Sequence, residues 1–134
     1  MNVLIVESRK ELGVLWQRHL ERQGAQVSLV CCQTEAVEHL SDHAADIIVM
    51  DLVLDEGSAL AVADFASYRH PNARVIFVTD TTFFSDGSIF NHASNACAFV
   101  PAGTRPEDLA AMVEHYGVSL ACRARAVRRN PGPD

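Results

Sequence analysis

The sequence lacks the features of membrane and exported proteins. None of its apolar runs approaches the ~20 residues that a membrane-spanning helix requires. The first six residues lead directly into a charged stretch, without the pattern of a signal peptide. We therefore expect a cytoplasmic protein that makes no contact with a membrane.

Motifs that bind nucleotide phosphates are missing as well. The turn after the first apolar run, residues 7–11, contains no glycine and matches neither GxGxxG, GxxxxGK nor a short Ser/Thr-Gly loop. Elsewhere the sequence has no GxSxG segment and no visible Cys/His pair with an orienting third group. Nucleotide binding, flavin binding and hydrolysis are therefore unsupported, and the chain is predicted not to be an enzyme.

Cysteine and histidine are present but lack the spacing of a metal site. Two histidines that share a helical face, His39 and His43, have no third ligand nearby in the sequence. The four cysteines, which form no CxxC pair, are Cys31, Cys32, Cys97 and Cys122. The cytosol would keep them reduced, so we expect small core residues and no metal bound by them.

Positive charge is scarce over most of the chain. Lys10 is the only lysine, and residues 1–122 carry seven basic and sixteen acidic side chains, a net charge of −9. Residues 123–134 carry four arginines and one aspartate, a net charge of +3, and cations are favourable at the end of a helix. An acidic surface repels the phosphate backbone, so we expect no nucleic-acid binding by this domain.

Five short apolar runs alternate with segments of helical periodicity, within a length that suits one core. The runs lie at 3–6, 27–30, 47–50, 75–78 and 98–100. Most are continuous rather than alternating, which is typical of parallel strands covered on both faces. The pattern predicts an α/β fold, a doubly wound five-stranded parallel sheet.

The segments between the runs predict five helices. They lie at 12–20, 34–40, 59–65, 85–96 and 106–120. Ser58 and Thr104 are expected to cap the third and fifth helices, while Pro71 ends the third. The fourth segment contains Gly87 and lacks a full apolar stripe, so we expect the helix there to be the weak point of the fold.

Polar side chains collect where the predicted strands end, which is where a doubly wound sheet binds its ligands. In chain order, the residues at these ends are Glu7, Ser8, Asp51, Thr79, Asp80 and Ala102. The group is acidic with hydroxyl residues, and it contains no visible nucleophile with an orienting base.

In their order and spacing, four segments resemble the receiver domain of two-component response regulators, over about residues 1–117. These are Asn2 to Ser8, Ile47 to Leu60, Val75 to Thr79 and Ala98 to Leu109. The resemblance implies the flavodoxin-like strand order 2-1-3-4-5. It also implies that the first and fifth helices cover one face of the sheet and the other three cover the opposite face.

The resemblance also implies how the domain signals. Asp51 matches the phosphoacceptor, so the chain would be a phosphoprotein that receives its phosphoryl group from a sensor histidine kinase or a phosphotransfer protein. Thr79 matches the hydroxyl that binds the phosphoryl group, and Phe99 matches the aromatic switch residue. Mg²⁺ would be held by Glu7, Ser8, Asp51 and the backbone carbonyl of Val53.

Two positions depart from the family pattern. Ser8 is neutral where the family usually has a second acid, so we expect weak Mg²⁺ binding. Ala102 occupies the position of the lysine that grips the phosphoryl oxygens, and Lys10 cannot replace it from the start of the first helix. Arg105 lies three residues further on and could reach back, but a solvated charge in the loop is the simpler interpretation.

Three hypotheses for function follow. The first is a signalling receiver in a phosphorelay, and the second is a pseudo-receiver that acts as a phosphorylation-independent protein-interaction module. The third, a small-molecule domain or enzyme on the same scaffold, lacks a phosphate loop and a catalytic pair. A homodimer through the fourth helix, fifth strand and fifth helix is possible in either of the first two, and Phe99 has no hydroxyl that would resist burial there.

The chain is expected to divide near its end. Residues 1–121 would form the receiver-like domain, and residues 122–134 a basic extension of the fifth helix with a frayed tail. If the chain is full length, so short a tail cannot build a DNA-binding module and we expect output through contact with another protein. If the chain is a fragment of a longer regulator, this expectation does not apply.

Overall fold

Strands and helices alternate along the chain in the computed structural model, which describes residues 1–79, 96–101 and 103–129, with side chains up to residue 117. The strands are β1 (Asn2–Val6), β2 (Gln26–Val30), β3 (Ile47–Asp51), β4 (Arg74–Thr79) and β5 (Ala96–Pro101). The helices are α1 (Lys10–Arg22), α2 (Gln33–Asp42), α3 (Ala59–Arg69) and α4 (Pro106–Arg129).

The five strands form one parallel sheet in the order β2-β1-β3-β4-β5. This confirms the predicted fold class and strand order. Val6 lies opposite both Val30 of β2 and Met50 of β3, so the first three strands end at the same edge. The strand that follows β1 in the chain, β2, lies on one side of it, and β3 lies on the other side. The order of strands therefore reverses between β1 and β3, and the ends of these two strands flank the expected ligand-binding crevice.

The sheet is covered on both faces, as its continuous apolar strands predict. Alternate residues of one strand point to opposite faces: Leu4 packs with α2 and α3, whereas Ile5 packs with α1 and α4. The buried Trp16 of α1 belongs to the second cluster. The faces predicted for the first, second, third and fifth helices are therefore those observed, with α4 as the fifth.

Local signals explain where several elements begin and end. The Ser58 hydroxyl accepts a hydrogen bond from the Ala61 N–H at 3.3 Å, which confirms this cap. Gly24, with a φ of +90°, follows α1 in a backbone conformation that glycine adopts without strain. The predicted fourth helix, apart from its last residue, lies outside the described residues. That residue, Ala96, instead begins β5, where it pairs with Val75 of β4.

The expectation that the cysteines are core residues is wrong for Cys31 and Cys32, whereas Cys97 packs against the core cluster that contains α1 and α4. Cys31 is exposed, and Cys32 and Cys97 are half-buried. The reason is their position. Cys31 and Cys32 follow β2 and Cys97 lies in β5, and these are the two outermost strands of the sheet. Burial is weakest at these edges, and sequence periodicity does not show which strands occupy them.

None of the helices in the described part of the chain is long and apolar enough to cross a bilayer. The proposed boundary at residue 121 falls within α4 and stays a prediction.

Candidate functional site

Two acidic side chains are buried at the edge where β1 and β3 end. Glu7 directly follows β1 and its side chain is inaccessible, while Asp51 ends β3 and is 7% exposed. They are the buried charged residues of the described part of the chain. Parallel pairing of β1 with β3 explains their proximity, although 44 positions separate them in the sequence. Burial of two carboxylates together requires a compensating positive charge.

Arg9 supplies that charge. Its guanidinium Nε donates to Oε1 of Glu7 at 3.1 Å, and Nη2 donates to Oδ2 of Asp51 at 3.2 Å. The Arg9 backbone N–H also donates to the same Glu7 oxygen at 2.9 Å, which fixes the turn after β1. The Arg9 side chain remains 48% exposed, so one face of the ion pair is open to solvent.

The environment of Glu7 favours its protonated form. Burial is the main reason that its pKa rises from 4.5 to about 7, and the neighbouring Asp51 carboxylate raises it further, while the hydrogen bonds from Arg9 oppose the change. Its second oxygen, Oε2, is buried without a hydrogen-bond partner among the described residues. The site therefore holds one carboxylate oxygen that a cation or a proton could satisfy.

Asp51 is held by two donors. Oδ1 accepts from the Val53 backbone N–H at 2.9 Å, and Oδ2 accepts from Arg9. The next residue, Leu52, donates its N–H to the Val78 carbonyl of β4 at 2.8 Å, which fixes the start of the loop. These contacts orient the carboxylate at the open edge of the sheet, where a reacting group could approach.

Ser8 forms hydrogen bonds on the side of the turn that faces β2. Its hydroxyl donates to the Cys31 carbonyl at 3.0 Å and accepts from the Asp55 N–H at 2.9 Å. Ser8 therefore ties the turn after β1 to the end of β2 and to the loop after β3. A role for its oxygen in binding a metal stays a prediction.

Thr79 ends β4 next to the acidic pair, because Val78, its neighbour, is paired with Asp51. Thr79 is half-buried and lies opposite Pro101 of β5. Phe99 stacks on Phe77 with ring centroids 5.2 Å apart, and packs against the cluster that contains α2 and α3. The aromatic ring at the predicted switch position therefore lies on the α2/α3 face of the sheet, stacked on the neighbouring strand.

The remaining predicted site residues contribute little described geometry. Asp80 and Ala102 lie outside the described residues. Arg105 is exposed just before α4, so a reach toward Asp51 stays a prediction. The described part of the candidate site thus consists of the acidic pair with Arg9, and the hydroxyl of Thr79 at the neighbouring strand end.

Sequence reasoning missed Arg9, which is the main cation of the site. Its position two residues after a buried acid is a weak signal, because a charge at the start of a helix is usually solvated. Its contact with Asp51 spans 42 positions and depends on the direction of the side chain across the sheet edge. Only the packed structure shows this direction.

The donor set fits a hard divalent cation in its chemistry. Mg²⁺ prefers oxygen ligands, and the site offers the carboxylates of Glu7 and Asp51, including the unpartnered Glu7 oxygen. Arg9 already neutralises part of this charge, however, so a metal would have to compete with the guanidinium. The donor set is therefore compatible with Mg²⁺, and weak binding of the metal stays a prediction.

Comparisons with known proteins support the fold through structure and not through sequence. No family model matches the chain, and no curated protein matches it. A CheY-like receiver domain from Methanospirillum hungatei superposes with a TM-score of 0.83 at 17% identity, covering 91% of this chain and 97% of that one. The chain has the receiver fold.

Two further solved structures agree. The N-terminal domain of a response regulator/sensory box/GGDEF three-domain protein from Carboxydothermus hydrogenoformans gives a TM-score of 0.80 at 23% identity, covering 92% of this chain and 99% of that one. The non-phosphorylated HemR receiver domain from Leptospira biflexa gives 0.76 at 21% identity, with 87% and 93% covered. At these identities the likeness establishes the receiver fold, and the chemistry has to be argued from the residues.

Proposed function

We propose that this chain is a response-regulator receiver domain of a phosphorelay and that Asp51 accepts the phosphoryl group. The observation that carries the proposal is the position of Asp51, at the end of the central strand β3 and beside the buried Glu7. In a doubly wound sheet this is the crevice where ligands bind. The proposed donors are a sensor histidine kinase or a phosphotransfer protein in the cytoplasm.

The proposed reaction is an in-line transfer. An Asp51 carboxylate oxygen bonds to phosphorus while the bond from phosphorus to a histidine nitrogen of the partner breaks, and the imidazole keeps the electron pair. The Val53 N–H orients Asp51 through Oδ1, and Arg9 balances charge at Oδ2. The Thr79 hydroxyl would donate to a phosphoryl oxygen. In this proposal the domain accepts the group onto its own carboxylate and does not turn over a substrate.

Mg²⁺ would be held by Glu7 and Asp51, with the Val53 carbonyl and Ser8 as further candidate ligands. When bound it would neutralise charge on the transferred group. Ala102 supplies no cation for the same purpose, so this chain depends more than usual on Arg9 and on a weakly bound metal for charge balance.

A second candidate function is a pseudo-receiver that binds a partner protein without regulated phosphorylation. The ion pairs of Arg9 favour it, because they neutralise part of the charge of the acidic pair before any metal or phosphoryl group arrives. The contact surface would be the predicted face of the fourth helix, fifth strand and fifth helix, of which β5 and α4 are among the described residues. A second copy of the chain is one partner for this surface, and this dimer is part of the proposal.

The two functions separate in one experiment. The chain is incubated with excess Mg²⁺ and acetyl phosphate, and hydroxylamine-sensitive phosphate is measured in wild type, Asp51→Asn and Asp55→Asn. The control residue Asp55 is an exposed acid in the same loop. Label in wild type and Asp55→Asn that is lost in Asp51→Asn supports the receiver. Absence of label in wild type, with unchanged self-association in Asp51→Asn, supports the pseudo-receiver.

A further inference from the structure

A second group of potential ligands lies between β2 and α2, outside the acidic pair. Cys31 and Cys32 follow β2 directly, and Glu35 lies in the first turn of α2. One donor atom from each of the three residues, two thiol sulfurs and a carboxylate oxygen, lies within 4.8 Å of the others. Sequence spacing gave no indication of this site, because two adjacent cysteines do not match a CxxC pattern.

The local backbone explains why the three side chains converge. Cys32 is the extended residue that precedes α2, so Glu35 is the third residue of the helix. At this position a glutamate side chain can turn back over the start of the helix. Here Oε1 of Glu35 accepts from the Cys31 N–H at 2.9 Å and from the Cys31 thiol at 3.1 Å. The carboxylate is thereby held against the first thiol.

The spacing of the donors suits a small thiophilic cation. Zn²⁺ binds thiolate sulfur at about 2.3 Å and carboxylate oxygen at about 2.0–2.2 Å in a tetrahedron, so its ligand atoms lie roughly 3.3–3.8 Å apart. Donor atoms within 4.8 Å of one another reach this spacing when side-chain rotation moves them by about an ångström. Cys31 is exposed and Cys32 half-buried, so an ion can approach from solvent.

We propose that Cys31, Cys32 and Glu35 bind a thiophilic divalent cation of the zinc class, with water as the fourth ligand. The two thiols form metal–sulfur bonds as thiolates and release their protons to solvent, while the carboxylate donates an oxygen.

The proposed site is distinct from the candidate Mg²⁺ site. Thiolates select soft or borderline metals, whereas the oxygen donors of Glu7 and Asp51 select hard ones. One described hydrogen bond, from the Ser8 hydroxyl to the Cys31 carbonyl, links the two regions. Binding of zinc can therefore be tested whether or not Asp51 is ever phosphorylated.

The competing explanation is that Glu35 only caps α2 and that the cysteines have no common ligand. Titration of the reduced full chain with Cd²⁺ distinguishes the two, because thiolate-to-cadmium charge transfer produces ultraviolet absorbance and Zn²⁺ should displace it. We expect one ion per chain. Cys31→Ser and Cys32→Ser should each weaken binding by roughly tenfold or more, by comparison with the losses seen when supporting residues of metal sites are removed.

Two matched variants complete the test. Glu35→Gln keeps an oxygen that can cap α2 but loses the charge, so we expect unchanged helicity and weaker cadmium binding. Cys97→Ser/Cys122→Ser removes the other thiols and should bind as wild type does. The proposal is overturned if wild type shows no saturable signal, if the signal follows Cys97 and Cys122, or if Glu35→Gln binds as tightly as wild type.

Discussion

The two sides of the candidate phosphoryl site differ in where positive charge is placed. At the ends of β1 and β3, two buried carboxylates are joined by the guanidinium of Arg9. At the ends of β4 and β5, the candidate residues are the hydroxyl of Thr79 and the uncharged Ala102. The resemblance to receivers leads one to expect a cation on the second side, at the position of Ala102. In this chain the described cation is on the first side.

This difference decides which state of the site, unphosphorylated or phosphorylated, the cation stabilises. A cation next to the site of an incoming phosphoryl group stabilises the product of transfer, whereas a cation that already bridges the acids stabilises the state before transfer. Arg9 thus lowers the free energy of the unphosphorylated site. Changes to Arg9 are therefore expected to have larger effects than changes on the Thr79 side.

The largest effect is expected for Arg9→Gln. Loss of the guanidinium leaves two buried carboxylates without their cation, so the free energy of unfolding in metal-free buffer should fall by about 2–4 kcal/mol, the lower end reflecting the half-exposed side chain of Arg9. Denaturant unfolding followed by fluorescence of the buried Trp16 measures this change. Mg²⁺ should restore part of the lost stability and bind more tightly than in wild type.

Arg18→Gln is the matched control for this variant, because Arg18 is an exposed arginine of α1. It should change neither stability nor Mg²⁺ affinity by a measurable amount. If Arg9→Gln behaves like Arg18→Gln in both measurements, the ion pairs of Arg9 affect neither the stability of the protein nor the Mg²⁺ affinity of the site.

The next effect concerns the other side of the site. Ala102→Lys introduces an ammonium group at the position that the family resemblance assigns to a phosphoryl-binding lysine. A charge-assisted hydrogen bond to a phosphoryl oxygen contributes about 1.5–3 kcal/mol, so binding of beryllofluoride with Mg²⁺ should tighten about tenfold or more. Ala102→Gln, similar in reach but uncharged, should gain little. Equal binding by wild type and Ala102→Lys would show that a cation at position 102 does not contact the phosphoryl group.

Part of this arrangement was predictable from the sequence, and the reason lies in periodicity. Runs such as 47–50 are apolar without alternation, which indicates strands buried on both faces, and Asp51 ends one of them, so its position at the sheet edge follows. Arg9 and Cys31 were not predictable in the same way. Their roles depend on contacts with Asp51 and Glu35 that side-chain direction and helix capping create after the chain has folded.

A smaller effect is expected in the pH dependence of stability, through Glu7. Its folded-state pKa of about 7 exceeds the ordinary value of 4.5, so the folded protein binds this proton more tightly than the unfolded chain does. Below pH 4.5 both states are protonated and the shift costs nothing. As the pH rises toward 7 the unfolded chain loses its proton first, so stability should fall, by about 1–2 kcal/mol.

Glu7→Gln removes the titrating group while keeping the shape of the side chain. Its unfolding free energy should change less than that of wild type between pH 4.5 and 7. Glu11→Gln, at an exposed acid in the same region, should retain the wild-type slope. Either of two results would contradict a raised pKa for Glu7: a wild-type stability that rises over this interval, or a Glu7→Gln variant with the wild-type slope.

The smallest effect is expected for Ser8→Asp, and its size decides between two explanations of weak Mg²⁺ binding. If the missing second acid is the cause, the added carboxylate should tighten Mg²⁺ binding more than Arg9→Gln does. The structure favours a smaller gain, because the Ser8 hydroxyl donates to the Cys31 carbonyl, and a carboxylate placed there would face an oxygen instead of donating to it. We expect Mg²⁺ affinity to rise roughly fivefold or less, a gain of about 1 kcal/mol or less.

Ser8→Ala controls for loss of the two hydrogen bonds without added charge, and NMR titration of the same chain measures all three variants. A larger gain from Ser8→Asp than from Arg9→Gln would locate the limitation in the number of acids, whereas the reverse order would locate it in the arginine that already occupies them.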